Sequence, residues 1–119
     1  MASTDCRALL ADLTSGNDDR AESAAVALGR LGERSLPAVQ ELLLHPVADV
    51  RWWATRTLGA MDSAAAMHAL IGQCEDADVD VRACAIYALG MFGDRAEHAV
   101  PTLMQRLADP SVYVRVGTA

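Results

Sequence analysis

Apolar residues recur along the chain with the spacing of one face of an α-helix. Between residues 81 and 93 they fall at Val81, Ala85, Ala88, Leu89 and Phe92. Residues separated by three, four or seven positions lie on the same side of a helix. This stretch therefore predicts an amphipathic helix, and the glycines at 90 and 93 indicate where it breaks.

The same series occurs several times. A second copy begins at Val50, a weaker one at Ala24, and a truncated one at Val114. Arg82 follows Arg51 by 31 residues. A further apolar stripe precedes each copy, so that the unit is a pair of helices. Helix pairs at such a period are typical of an α-solenoid, in which each repeat contacts only its neighbours. We therefore predict an all-α fold, a right-handed α-solenoid of stacked antiparallel helical hairpins.

Turn and capping residues divide the pattern into helices. Asp18 or Asp19 is expected to cap the second helix and Ser35 the third, which His45 and Pro46 should end. The predicted helices span about 3–13, 18–31, 35–44, 49–60, 63–75, 80–91 and 95–108, with an eighth that begins after residue 111. They pair within one domain, 1–119, into repeats at about 3–31, 35–61, 64–92 and 96–119, the last of them truncated.

Composition narrows the function classes. The formal charge of −6 and the pI near 4.8 argue against binding to duplex DNA or to an anionic membrane. No apolar run is long enough to span a membrane, and the first residues do not form a secretory signal, so we expect a cytoplasmic protein.

The reactive side chains do not form a catalytic or metal-binding pattern. The three cysteines share no CxxC spacing, and the three histidines stand in different repeats. The acidic run from Glu75 to Asp80 lacks the glycine and terminal glutamate of a calcium loop, and acidic residues favour helix N-termini in any case. We predict that the chain is not an enzyme and that it uses no cofactor and no metal.

The repeated phrases resemble HEAT repeats, in particular the bacterial HEAT-like repeats of the phycobilisome-lyase type. The resemblance is carried by Val81-Arg82 followed by Ala88-Leu89-Gly90, and by Ala99-Val100-Pro101 followed by Asp109-Pro110. It implies that the second helix of each repeat lines the concave side of the solenoid. It also implies a ladder between neighbouring repeats that joins arginines to aspartates, each aspartate also capping the next helix. The members of this ladder would be Arg51, Arg82, Arg115, Asp76 and Asp109.

Such repeats favour a non-catalytic scaffold that binds a protein or peptide partner on its concave face. One alternative is an accessory subunit of a bilin-lyase-like enzyme. Another is a nucleic-acid-binding protein, which the negative charge disfavours. Because the last repeat is truncated, we also expect self-association through its bare end, unless the chain is a fragment of a longer array.

The repeat register predicts which side chains face the partner. Positions one, five and nine residues after Arg51, Arg82 or the equivalent Ala21 lie opposite the inward stripe, and Trp53 flanks them. Tryptophan, tyrosine and arginine are the residue types most enriched at binding hot spots. An alternative is that Trp53 merely fills the space between repeats. The predicted binding residues are Glu22, Val26, Arg30, Trp52, Trp53, Arg56, Ala83, Tyr87 and Met91.

Overall fold

The fold is all-α throughout the part of the chain that the computed structural model describes. That part comprises residues 2–61 and 63–91, with side chains from Cys6 onward, and it contains no strand. The helices are α1 (Ala2–Leu13), α2 (Asp18–Leu31), α3 (Leu36–Leu42), α4 (Ala48–Gly59), α5 (Ala64–Gln73) and α6 (Val79–Gly90), with a 3₁₀ turn at Gly32–Arg34. The predicted seventh and eighth helices, and with them the fourth repeat, lie outside these residues.

The helices form two layers. The second helices of the three hairpins, α2, α4 and α6, pack side by side with α4 in the middle. The first helices lie on one side of them: α1 packs on α2, α3 on α4, and α5 on both α4 and α6. This arrangement is the predicted α-solenoid. We call the side of the α2–α4–α6 layer that faces away from the other layer the concave face.

The apolar stripes meet in two core clusters, one at each junction between hairpins. Leu58 and Leu89, which the periodicity places inward, are both fully buried in the larger cluster with Leu70. The smaller cluster joins the first hairpin to α4 and contains Leu13 and Leu28. Since burial of a leucine side chain contributes about 2 kcal/mol, these seams hold the neighbouring repeats together.

Two of the described glycines, Gly29 and Gly59, bring neighbouring helices close together. A Cβ on Gly29 would lie 2.6 Å from the Cβ of Ala60, and one on Gly59 would lie 2.8 Å from the Cβ of Ala88. Gly90 is the last residue of α6 and does not have a positive φ. Gly32 directly follows α2 and has a φ of 61°. This left-handed conformation costs little for glycine but is costly for residues that have a Cβ.

The caps differ in detail from those predicted. Asn17, rather than Asp18 or Asp19, caps α2 by accepting the N–H of Arg20 (3.0 Å). Ser35 precedes α3 without a side-chain cap; its hydroxyl donates instead to the Leu28 carbonyl of α2 (2.8 Å), which links the first hairpin to the second. Helix α3 ends at Leu42, before the predicted stop.

The predicted ladder is present between the second and third repeats. Arg51 donates to Asp76 through Nε (3.0 Å) and Nη2 (3.2 Å), and its Nη1 donates to the His45 carbonyl (2.9 Å). Asp76 accepts the N–H of Asp78 (2.8 Å) and so shapes the turn, but Asp78 is the residue that caps α6. This corrects the expectation that Asp76 is itself the cap. Asp109 and Arg115 lie outside the described residues.

Candidate functional site

An open groove of about 640 Å³ lies on the concave face where α2, α4 and α6 begin. The hairpin repeat explains its position, because each second helix starts at the same end of the layer. Trp52, Trp53 and Ala48 form its apolar part. The groove's other lining residues all carry a carboxylate: Asp18, Asp19, Glu22, Asp49, Asp78 and Asp80.

Two consecutive tryptophans on α4 have different environments. Successive residues of an α-helix point about 100° apart, so one indole can enter the seam while the other reaches the groove. Trp53 is only 8% exposed and packs in the smaller core cluster, whereas Trp52 is half-buried. The ring centroids are 4.9 Å apart and the planes meet at 83°, an edge-to-face contact. The buried Trp53 thus holds the Trp52 indole in place.

The structure brings some of the predicted binding residues together and separates others. Trp52 and Glu22 line the groove, and Arg56 of α4 forms an ion pair with Glu22 (2.7 Å). Tyr87 and Met91 are each 70% exposed but lie beyond the groove. The remaining surface positions on α2 are Val26, which is half-buried, and Arg30, which is exposed.

Two predicted residues are not open surface. Trp53 belongs to the core, as the alternative interpretation of the sequence had it. Ala83 is only 4% exposed, because α4 and α6 pack so closely that the start of α6 contributes to the larger core cluster. Neither side chain offers a partner more than a minor contact.

The interpretation of the sequence did not predict the aspartates that line the groove. Asp19, Asp49 and Asp80 each lie two residues before Arg51, Arg82 or the equivalent Ala21, so they occupy the same position in three successive repeats. All three are exposed, and none has an ion-pair partner in the described ranges. We call them the aspartate row. Alignment of the helix starts, rather than of the apolar stripes, would have revealed it.

The concave face also carries a cysteine. Burial raises the pKa of the Cys84 thiol to about 12, and the nearby Arg56 guanidinium lowers it in part. At neutral pH the side chain is therefore a thiol, whereas the nucleophilic form of cysteine is the thiolate. No three His, Cys, Asp or Glu side chains among residues 6–61 and 63–91 are arranged to hold a metal ion.

A second hollow, of about 540 Å³, lies between α1, the end of α2 and the start of α3. It is mostly apolar and includes Cys6, Leu10 and Leu31, with Arg7 and Arg34 at its edges. Within the described ranges no helix is long and apolar enough to cross a membrane.

Comparison with known proteins agrees with this architecture. One solved structure, the complex of CpcE and CpcF of phycocyanin lyase from Nostoc sp. PCC7120, superposes with a TM-score of 0.82 at 25% identity, over 98% of this chain and 75% of that chain. No curated protein matches the sequence. The family model for HEAT repeats matches residues 6–80 and again residues 48–119, which together cover most of the chain. The chain belongs to the HEAT-repeat family.

Proposed function

We propose that this chain is a non-catalytic interaction module that binds a protein or peptide partner on its concave face, in the groove around Trp52. The observation that carries the proposal is the half-buried indole that lines an open groove. Trp52 packs in part against the smaller core cluster, but the equivalent positions in the neighbouring repeats are Glu22 and Ala83, so the repeat pattern itself does not call for an aromatic side chain there. An indole that is already held by its neighbour loses little freedom on binding, which favours affinity.

Differential affinity capture tests this function. The immobilised wild type is compared with the double variant Trp52→Ala, Tyr87→Ala and with a control, Gln40→Ala, which alters an exposed residue of α3 in the other layer. We expect the wild type and the control to retain the same partner from an extract of the source cells, and the double variant to lose it. Identical capture by all three proteins would rule out the concave face as the binding site.

The similarity to a phycocyanin lyase complex supports a second candidate, an accessory subunit of a bilin lyase. In that case the chain would assemble with a partner subunit and promote attachment of a bilin to an apoprotein. Incubation of the chain with bilin, apoprotein and candidate partner subunits, followed by absorbance, tests it. A chain-dependent rise of the absorbance of attached bilin would favour this candidate over a purely non-catalytic scaffold.

Nucleic-acid binding is the least supported of the candidate functions. Nucleic acid is bound chiefly through phosphate contacts from Lys and Arg side chains. The groove is instead lined by carboxylates, and the Arg56 guanidinium, which contacts one of them, is already paired with Glu22. We expect no shift of labelled DNA or RNA by the chain at low salt.

A further inference from the structure

The groove around Trp52 carries a charge pattern that specifies its ligand more closely than the proposed function does. We infer that it takes a basic peptide segment in extended conformation, with an arginine or lysine over the Trp52 indole and further basic residues against the aspartate row. This inference rests on the proposed function, whose site it shares, and it adds the chemistry of the partner.

The Trp52 indole is suited to contact a cation. A tryptophan ring is the best side-chain partner for a cation, and such a contact contributes more when the surroundings are partly desolvated. Trp52 is half-buried, its orientation is fixed by Trp53, and the groove leaves part of it open. A guanidinium or ammonium group placed on the ring would also stand close to Asp49, which lines the same groove.

The carboxylates that line the groove differ in whether they are already paired within the protein. Glu22 is neutralised by Arg56, and the Asp78 carboxylate is committed to the N–H groups of Asp80 and Val81 at the start of α6. The aspartate row has no such commitment within the described part of the chain. Its negative charge therefore remains available to a ligand, and basic side chains of a peptide could form ion pairs with it.

The spacing of the row excludes a single small ion and favours a chain. The row runs across three neighbouring helices, whose axes in packed layers are typically about 8–10 Å apart. Among the described residues no three carboxylates converge on a metal position. A peptide in the extended polyproline II conformation advances about 3.1 Å per residue with three residues per turn, so basic side chains three residues apart lie on one side and repeat at about 9 Å. Such a segment, laid across the helices, matches the row.

Selection from a phage-displayed library of random dodecapeptides tests the inference, because such a library samples basic, acidic and apolar segments alike. The library is panned on the wild type, and a selected peptide is then labelled and titrated by fluorescence anisotropy. The variants are Trp52→Ala and the pair Asp49→Asn, Asp80→Asn. The matched control is Glu33→Gln, Glu41→Gln, which removes the same charge from exposed positions outside the groove. Circular dichroism confirms that each variant is folded.

We expect enrichment of peptides with arginine or lysine about three residues apart. Affinity for them should fall at least tenfold in Trp52→Ala and in the aspartate pair, weaken as salt is raised, and stay unchanged in the glutamate control. Peptides that need Trp52 but lack basic residues would overturn the inference and leave the proposed function intact. Peptides insensitive to Trp52→Ala, or no enrichment, would count against both. A dimer in sedimentation that Trp52→Ala abolishes would assign the groove to a second copy and overturn the basic-peptide assignment.

Discussion

At the scale of single residues, the two tryptophans are expected to differ in how much each contributes to stability. Trp53 fills the smaller core cluster, and replacement of a buried aromatic ring by alanine leaves a cavity that typically costs about 3–5 kcal/mol. Trp52 is half-buried, so its loss should cost only about 1 kcal/mol. We expect urea unfolding to show this order for Trp53→Ala and Trp52→Ala. A larger loss in Trp52→Ala would make Trp52 a core residue.

The electrostatic potential around Trp52 can be measured in the absence of any ligand. In Trp53→Phe, which retains a ring in the core, all tryptophan emission comes from Trp52. Because the groove is lined by carboxylates, the cationic quencher Cs⁺ should reach the indole more readily than the anionic quencher I⁻. The difference should shrink in Asp49→Asn, Asp80→Asn. If I⁻ quenched at least as well as Cs⁺, relative to free tryptophan, the groove would not be the acidic environment described.

Cys84 gives the stability a pH dependence in alkali. Its folded-state pKa, about 12, lies above the ordinary value of 9.0 because burial disfavours the thiolate. A raised pKa means that the full stabilisation is present below about pH 9 and is lost as the pH rises toward 12. Between pH 8 and pH 10 the wild type should lose about 1 kcal/mol more than Cys84→Ala in urea unfolding. Equal losses in both proteins would mean that the thiol is not desolvated by the fold.

At the scale of helices, apolar spacing together with turn and capping residues located all six described α-helices. Their ends were less predictable, because a cap depends on which of several adjacent polar residues first reaches a free N–H. Asn17 does so at α2 and Asp78 at α6, each next to a residue of similar capacity. The repeat register predicted that Trp52 lies on the side of α4 away from the first helices, and in the structure its half-buried side chain lines the groove there.

The aspartate row could not be predicted from the spacing of apolar residues. Each aspartate at a helix start is explained by the helix dipole when one helix is considered alone. The aspartate row becomes a feature only when packing brings the starts of α2, α4 and α6 to one end of the layer. In a similar way, the periodicity marked Ala83 as outward, because the close approach of α4 and α6 is invisible in a single helix.

The close packing of α4 against α6 predicts that Gly59 cannot be replaced by a larger residue without loss of stability. A Cβ on Gly59 would lie 2.8 Å from the Cβ of Ala88, whereas a Cβ on Gly72 would meet nothing within 4 Å. Gly59→Ala should therefore destabilise the protein by about 1–3 kcal/mol, as overpacking typically does. Gly72→Ala, the control, should stabilise it by about 0.5 kcal/mol through helix propensity. Ala88→Gly should partly rescue Gly59→Ala, and independent additive effects would show that the two residues do not touch.

At the scale of the whole molecule, the solenoid converts positions that recur in sequence into a surface that no single repeat possesses. The larger core cluster and the Arg51–Asp76 pair join the second hairpin to the third, and the smaller cluster joins the first to the second. The groove crosses both junctions, so its shape depends on how the three hairpins stack. A ligand that spans them would in turn stabilise the stack by mass action.

The two indole N–H signals in a proton–nitrogen NMR spectrum test the central claim most directly, because the chain has only two tryptophans. Trp52→Phe and Trp53→Phe assign them. On titration with the captured partner or a selected peptide, we predict that the Trp52 signal moves in proportion to saturation while the Trp53 signal stays nearly fixed, and that backbone shifts cluster at the starts of α2, α4 and α6. Binding that leaves Trp52 unmoved, or that shifts residues of α1 and α3 instead, would contradict the concave face as the functional site.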